Sequence, residues 1–273
     1  MSATALLPGG IIRNGQNHRI ACFRPITGSV EMAIASSERE ASSIPAWVSG
    51  VLAAAVEKVG ELPMSPGLAD EMSVGDRMFL MIQLGILLNG DDTWLTTSCE
   101  ACEERFDLCI RRSAIAVRSA SPTYPVTSVD LNGTAVLVRA PTGADQRWLC
   151  ACQPPRPEQV LLKRCLTTEE GASLDDQFVM SLSESDRVAL ELAIEEMGPE
   201  VQCVFNVVCP ECGYAGQIAF DPYWRNGTAV DLDEEIHALA FYYHWSEPEI
   251  LAITRERKRR YLELVDQERG RYV

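Results

Sequence analysis

Apolar residues recur along the chain with two different periods, and the switches between them mark out its elements. Over 19–35, RIACFRPITGSVEMAIA, the pattern alternates through Ile20 and Cys22, breaks between Pro25 and Gly28, then resumes at helical spacing. A strand followed by a short helix is predicted. The small polar residues of 36–43 predict a loop. Over 45–62 the residues Trp47, Val51, Ala55 and Val59 fall on one helical face. After a loop with two prolines at 64–69, Ser73 precedes Asp76 by three positions, a capping-box-like start with Asp in place of Glu or Gln. The helix it opens covers 74–88 and stops at Asn89 and Gly90. Residues 93–98 read as a strand leading into Cys99, and 105–117 as the returning strand. Residues 130–139 read as a hairpin turning at Asn132 and Gly133. Helices are predicted over 145–152 and 157–165, with an acidic loop over 169–176. Near the C-terminus, 231–243 is a helix with acidic residues at its start. Ser246, Glu247, Pro248 and Glu249 open another. A final helix spans 254–266, its basic residues toward water and Tyr261, Leu262 and Val265 inward.

One stretch of this pattern occurs twice. SxxDR stands at 73–77 and at 183–187, and a CxxC begins 23 residues after each Asp, at Cys99 and at Cys209. The apolar phase is kept as well: Leu80 matches Leu190, Leu84 matches Ile194, Leu87 matches Met197, Leu108 matches Ile218 and Ile110 matches Phe220. A cap, an apolar phase and a cysteine pair repeated together predict two copies of one helix-plus-hairpin unit.

The cysteine pairs carry the chemistry. A CxxC knuckle presents two thiolates from a tight turn, so Cys99, Cys102, Cys209 and Cys212 together supply the four sulfurs of a closed tetrahedral zinc site. A site with all four positions filled by protein is structural rather than catalytic. The competing reading is a redox dithiol, but a redox CxxC opens a helix, whereas CPEC here runs through Gly213 and Tyr214 into a strand. Cys22, Cys109, Cys150, Cys152, Cys165 and Cys203 sit in apolar surroundings and read as small core residues. His237 and His244, seven apart among aromatic residues, read as packing or partner-facing rather than as ligands of one ion. Glu195 and Glu196 read as a solvated helix face. The chain offers no Ser, His and Asp constellation, phosphate loop or paired-carboxylate motif, so no enzyme reading has a residue set behind it.

Composition narrows the partners. With 273 residues, 47% hydrophobic and 23% charged, the chain can bury an ordinary core and is expected to be folded. A net charge of −15 disfavours nucleic acid and anionic membranes and points to protein partners. The basic run 255–260, RERKRR, is interrupted by Glu256 and reads as a solvated helix face. Neither a secretory signal nor an apolar run approaching the roughly 18 residues of a membrane span is present, and a cytoplasmic protein is expected.

Several stretches taken in order carry a resemblance: RPITG near the start, GDR before the first CxxC, RAPTGAD, LLKRCL, SESDR before CPECG, and YYHWSEPEILAITRERKRRYLELV at the end. In this order they resemble the baseplate hub assembly chaperones of T-even-type tailed phages and related contractile injection systems. The resemblance covers nearly the whole chain and is most specific at its C-terminal end. The first knuckle departs from it in reading CEAC rather than CPxCG, and the spacer 221–230 carries a turn-prone Asn226 and Gly227. What the resemblance implies is a non-enzymatic assembly factor acting in the cytoplasm of a bacterial host, with a structural zinc on Cys99, Cys102, Cys209 and Cys212. Its expected partners are baseplate hub or other tail proteins, with no nucleic acid, membrane or small-molecule substrate. Permanent residence in the baseplate and a nucleic-acid-binding zinc ribbon are the alternatives. Because Tyr, Trp and Arg dominate binding hot spots, Tyr242, Tyr243, His244, Trp245, Arg255 and Arg259 are the expected partner-binding residues.

The expected fold is α+β: internally duplicated helix plus β-hairpin zinc-knuckle units forming a zinc-ribbon-like core, with C-terminal helices. Its expected regions are 1–62 (strand and helix), 63–120 (first unit), 121–180 (linking hairpin and helices), 181–225 (second unit) and 226–273 (C-terminal helical docking region).

Overall fold

The apolar run Thr4–Arg13, interrupted by Pro8, Gly9 and Gly10, forms strand β1, which pairs antiparallel with β2 (Gln16–Phe23). The register slips between Leu6 and Ile11, so the two glycines sit in a bulge and their N–H groups leave the ladder. Both donate instead to the Asp76 carboxylate, at 2.8 and 3.0 Å. The computed structural model describes residues 3–131, 133–168, 172, 174–223 and 228–270, and within them the chain is a mixed α+β protein with small antiparallel sheets.

Helix α1 (Gly28–Glu40) runs through much of the region expected as a loop, because its Ser, Glu and Arg residues are compatible with a solvent-facing helical turn. Ser43 caps α2 (Ile44–Ala55), which ends seven residues before the expected Leu62. The reason is pairing: β-branched Val56–Val59 becomes β3 on the free edge of β2, followed by β4 (Leu62–Pro63). A short α3 (Pro66–Glu71) replaces the expected loop, capped by Ser65 Oγ accepting the Leu68 N–H at 3.1 Å and started by Pro66. Helix α4 (Val74–Asn89) begins and ends where its caps predict, with Gly90 at φ 84°.

Strands β5 (Asp92–Ser98) and β6 (Arg105–Arg111) form the first knuckle hairpin. The expected strand over 105–117 stops early because the Asp91 carboxylate draws the Ser113 N–H and hydroxyl into a 3-10 turn. The next strand, β7 (Val117–Arg118), pairs elsewhere. Strands β8 (Val126–Leu131) and β9 (Thr134–Arg139) make the predicted hairpin, with Asn132 of its turn outside the described residues. Helices α5 (Gly143–Cys152) and α6 (Pro157–Cys165) follow, and β10 (Leu166–Thr167) adds to β9. Of the acidic loop, residues 169–171 and 173 lie outside the described residues, while Asp175 caps an additional helix, α7 (Asp176–Ser181). Then come α8 (Glu184–Met197), β11 (Glu200–Val201) paired with β7, and the second hairpin, β12 (Val204–Val208) with β13 (Ala215–Ala219). The chain closes with α9 (Thr228–Tyr243), α10 (Glu247–Ala252) and α11 (Arg255–Gly270). The turn-prone Asn226 and Gly227 lie outside the described residues.

Burial gathers in three clusters. One holds the first sheet against α2 and α4 through Leu7, Phe23, Leu52, Val59 and Leu80. A second lies between β8, β9 and α6 to α8, around Val138, Leu166 and Leu190. The third, Ile82, Ile110, Ile115, Val201 and Phe220, ties α4 to both knuckle hairpins. Of the cysteines expected in the core, Cys165 is buried and Cys22 and Cys203 half-buried, but Cys109, Cys150 and Cys152 are exposed, on the outer faces of β6 and α5. Among the described residues no helix is long and apolar enough to cross a membrane.

Three helix starts share one plan. Helices α4, α8 and α11 each follow a hydroxyl residue, Ser73, Ser183 or Thr254, whose carbonyl accepts the N–H of a basic residue four positions on: Arg77, Arg187 or Lys258. Each is preceded by a six-residue helix, α3, α7 or α10. On two of the three a Thr-Gly turn is seated. Thr142 bridges Ser73, the Val74 N–H donates to Pro141 O at 3.2 Å, and the Gly143 N–H donates to Met72 O at 3.1 Å. Likewise Thr27 bridges Thr254, the Arg255 N–H donates to Ile26 O at 2.7 Å, and the Gly28 N–H donates to Ile253 O at 3.4 Å. A Cβ on Gly143 would lie 2.4 Å from Arg77 Nη1, and one on Gly28 2.9 Å from Leu251 Cα, so both turns require glycine.

Two of these basic residues, Arg77 and Lys258, turn inward. Within 255–260 Lys258 is buried and Arg255 half-buried, while Glu256, Arg257, Arg259 and Arg260 form the expected solvated face. Lys258 is 1% exposed because Glu31 of α1 and Glu235 of α9 meet its Nζ at 2.6 and 2.5 Å. Arg255 donates to Leu88 O at 2.7 Å and pairs with Glu31. Arg77, wholly buried, donates to Ser49 Oγ, Ala69 O and Pro45 O within 3.0 Å.

Asp145 is a buried carboxylate with several partners. It closes a capping box on Thr142 and accepts from Arg139 at 2.6 and 2.9 Å and from Arg164 at 2.9 Å. Burial pushes its pKa up, but the Arg139 guanidinium, the Thr142 amide and Arg164 outweigh it and hold the carboxyl at about 2. A depressed carboxylate pKa contributes stability that is fully present above about pH 4 and is lost as pH falls through about 2. Asp145→Asn is therefore expected to lower stability by on the order of 2 kcal/mol at neutral pH, with the gap from the parent closing between pH 4 and 2. Urea unfolding across that pH range checks it, and a gap independent of pH would contradict it.

Candidate metal centre

Each knuckle is shaped by its own hairpin. In the first, the Cys99 N–H donates to Glu104 O at 2.9 Å and the Glu103 N–H donates back to Cys99 O at 3.0 Å. The second repeats this bond for bond: Cys209 N–H to Tyr214 O at 2.9 Å and Gly213 N–H to Cys209 O at 3.0 Å. The fifth residue of each turn is left-handed, Glu103 at φ 61° and Gly213 at φ 72°. The CEAC knuckle thus adopts the CPECG geometry without its glycine, at the steric cost of a β-carbon in that region.

The hairpins meet face to face. Leu95 and Leu108 of the first and Phe205 and Ile218 of the second pack against the same buried cluster. Near the knuckles, Tyr214 Oη donates to Glu100 at 3.3 Å. This packing brings together the four cysteines predicted as ligands, whose sulfurs all lie within 4.8 Å of one another. The close pairs cross between hairpins: Cys99 to Cys212 at 3.6 Å and Cys102 to Cys209 at 3.8 Å. Four sulfurs at about 2.3 Å from a tetrahedral zinc would be separated by about 3.8 Å, so the donor set fits that ion in number, type and spacing. Cys99 and Cys209 are buried and Cys102 and Cys212 lie toward solvent. Among the described residues no other group of His, Cys, Asp and Glu side chains could hold a metal.

The four thiols are electrostatically unequal. The Cys102 amide, with the Ala101 N–H at 3.4 Å, lowers the Cys99 thiol to about 7. The Glu104 amide pulls the Cys102 thiol down, but the neighbouring thiols of Cys212, Cys99 and Cys209 together with burial raise it to about 12. The Tyr214 amide acts on Cys212 in the same sense and is likewise outweighed, so that thiol is also raised. A divalent ion is what makes four thiolates compatible at this spacing.

The six residues expected to bind a partner divide. Tyr243 and Trp245 stack at 5.0 Å and both meet the Tyr261 ring edge-on, within 5.3 Å, which fastens α9 to α11. Arg255 is engaged with Leu88 and Glu31, as described. Arg259 and His244 are exposed, and Tyr242, half-buried, lies under the Arg269 guanidinium at 5.9 Å. His237 stacks on Phe241 at 6.4 Å rather than facing an ion, and Glu195 and Glu196 are exposed. Sequence patterning missed the helix-start plan at 246–258, where Thr and Lys replace the Ser and Arg of SxxDR. The recurrence of Thr-Gly in RPITG and RAPTG was the signal that could have found it.

Comparison with protein-family models, with curated proteins and with solved structures finds no match.

The left-handed Glu103 allows a direct test of the knuckle geometry. Glu103→Gly is expected to stabilise the protein by about 1 kcal/mol, since glycine removes the Cβ penalty at positive φ. Thermal unfolding of the two proteins measures it; a destabilised variant would contradict the assigned turn.

Proposed function

We propose that Cys99, Cys102, Cys209 and Cys212 hold one structural zinc ion, and that the chain is a non-enzymatic assembly factor for the baseplate hub of a contractile phage tail or injection system. The single observation that carries the zinc reading is the tetrahedral spacing of four sulfurs delivered by two separate hairpins. An ion with four protein thiolates has no open coordination position, so its role is to cross-link rather than to react. The baseplate reading is supported by the ordered resemblance of RPITG, RAPTGAD, SESDR and the C-terminal HWSEPEIL to that family. A nucleic-acid role is disfavoured by the net charge of −15 and by the burial of Lys258 within the basic run.

We also read the chain as an internal duplication longer than its helix-plus-knuckle units. Hairpin, Thr-Gly turn, helix, Pro-led helix, short strand, six-residue helix, Ser-capped helix and CxxC hairpin occur in that order over 4–111 and again over 126–219. On this reading the zinc joins the last elements of the two halves. The repeated Asp of SxxDR differs in use between the two copies. Asp186 closes a capping box on Ser183, whereas Asp76 is turned to the bulge of β1.

Native mass spectrometry of the protein purified without oxygen is expected to show one zinc per chain, lost in Cys209→Ser. Chelation should lower the thermal midpoint by on the order of 10 °C. A metal-free native mass would overturn the zinc reading. Co-purification with co-expressed hub proteins, and absence from finished particles, is expected of an assembly factor. Retention in particles would make the chain a permanent baseplate component, and failure to bind any hub protein would refute the baseplate reading.

A further inference from the structure

Of the three like helix starts, two hold a Thr-Gly turn and the third, at α7 and α8, holds none among the described residues. The α8 start has the same parts. Ser183 caps the helix with φ −67° and ψ 164°, and its carbonyl accepts the Arg187 N–H at 3.1 Å, as Ser73 does for Arg77. The side chains that face the seated turn and its helix elsewhere are uncovered here. At the second residue-position before the buried Met72 or half-buried Ile253 stand Asp70, which is tied to Arg147 of α5, and Leu251, whose carbonyl accepts from Ser29 of α1 at 3.2 Å. The corresponding residue of α7 is Met180, 68% exposed. Arg187, in the place of the wholly buried Arg77 and Lys258, keeps 29% exposure, with Glu184 of its own helix 4.0 Å away. Val188, one residue further along α8, is also exposed.

We infer that the α7–α8 corner is a docking site for another protein that presents an extended segment ending in a Thr-Gly turn and running directly into a helix. Its backbone would donate and accept as Gly143 and Pro141 do on α4, with the Glu184 N–H and Leu182 carbonyl in the places of Val74 and Met72. Glycine is expected after the threonine because a β-carbon would meet the basic side chain one turn into the helix, as at Gly143, or the backbone of the preceding helix, as at Gly28. The helix that follows would lie over α7 at the exposed Met180, as α5 lies against α3. A second copy of this chain is not the occupant, since its turns at 27–28 and 142–143 are already seated on 253–255 and 72–74. Such a site would serve the proposed assembly factor as its client surface, yet it does not depend on zinc or on a baseplate client, so either can fail alone.

The test uses the full chain and a synthetic peptide with the sequence of residues 134–153, cysteines replaced by serine. Saturable binding is expected, with amide shifts centred on 182–188. A peptide carrying Gly143→Val should bind at least tenfold more weakly. In the protein, Glu184→Pro removes the N–H that would meet the turn, together with an exposed carboxylate 4.0 Å from Arg187. Proline is favoured at the first helical position, and the extended Ser183 before it tolerates proline, so the helix is retained. This variant and Met180→Asp should each weaken binding at least tenfold at unchanged thermal midpoint. No saturable binding, binding indifferent to both variants, or concentration-dependent dimerisation abolished by Glu184→Pro would each overturn the inference.

Discussion

The first backbone N–H groups of an α-helix have no partners inside the helix, and this chain uses that shortage to hold itself together. At α4 and α11 the N–H after the cap is satisfied by a carbonyl from a turn far away in sequence, Pro141 or Ile26, and the turn's own glycine N–H returns a bond to the residue before the cap. The exchange is a two-bond antiparallel bridge placed at a helix start, and it fixes where a second helix departs. Helix α5 is thereby set against α2 and α3, and α1 against α9 and α10. These bridges act together with the ion pairs of Arg255 and Lys258 to Glu31 and of Arg147 to Asp70, and with the third apolar cluster, in joining the sheets and the C-terminal helices.

The buried charges follow from the same junctions. A basic residue one turn into each helix lies beneath the seated turn, where water is excluded, and an unpaired cation there would cost several kcal/mol. Arg77 is met by neutral oxygens, of Pro45, Ala69 and Ser49, with Asp70 at 3.8 Å. Lys258 is met instead by two carboxylates, Glu31 and Glu235. The difference suits the side chains. A planar guanidinium can spread five donors over several carbonyls, while an ammonium is a point charge best neutralised directly.

Legibility in the sequence tracked the range of the interactions. The CxxC pairs, the Ser73 cap and the Asn-Gly stop of α4 are local, and the structure places them where spacing predicted. Strand β1 was invisible because the Pro8-Gly9-Gly10 bulge is held open by Asp76, 66 residues away from Gly10. Residues 56–59 continue a helical pattern by themselves and become strand only because the edge of β2 is free. Helix α3 is too short to show a period and exists through its cap and its packing on α2. Within the basic run 255–260 the inward turn of Arg255 and Lys258 was not legible because nothing near them in sequence announces Glu31.

Helices α4 and α8 carry the same apolar phase, yet their fates differ. Ile82 of α4 is covered by Ile110, Ile115, Val201 and Phe220, whereas Leu192, its counterpart in α8, is 49% exposed. Composition cannot account for this, since both positions are large aliphatics; what differs is what lies beyond the helix. The two knuckle hairpins cover Ile82, and no hydrophobic cluster among the described residues takes in Leu192. An exposed aliphatic side chain forgoes roughly 25 cal/mol for each Å² left in water. Met180, Val188 and Leu192 together therefore leave stabilisation unrealised within the chain itself, and that stabilisation is available to whatever covers them.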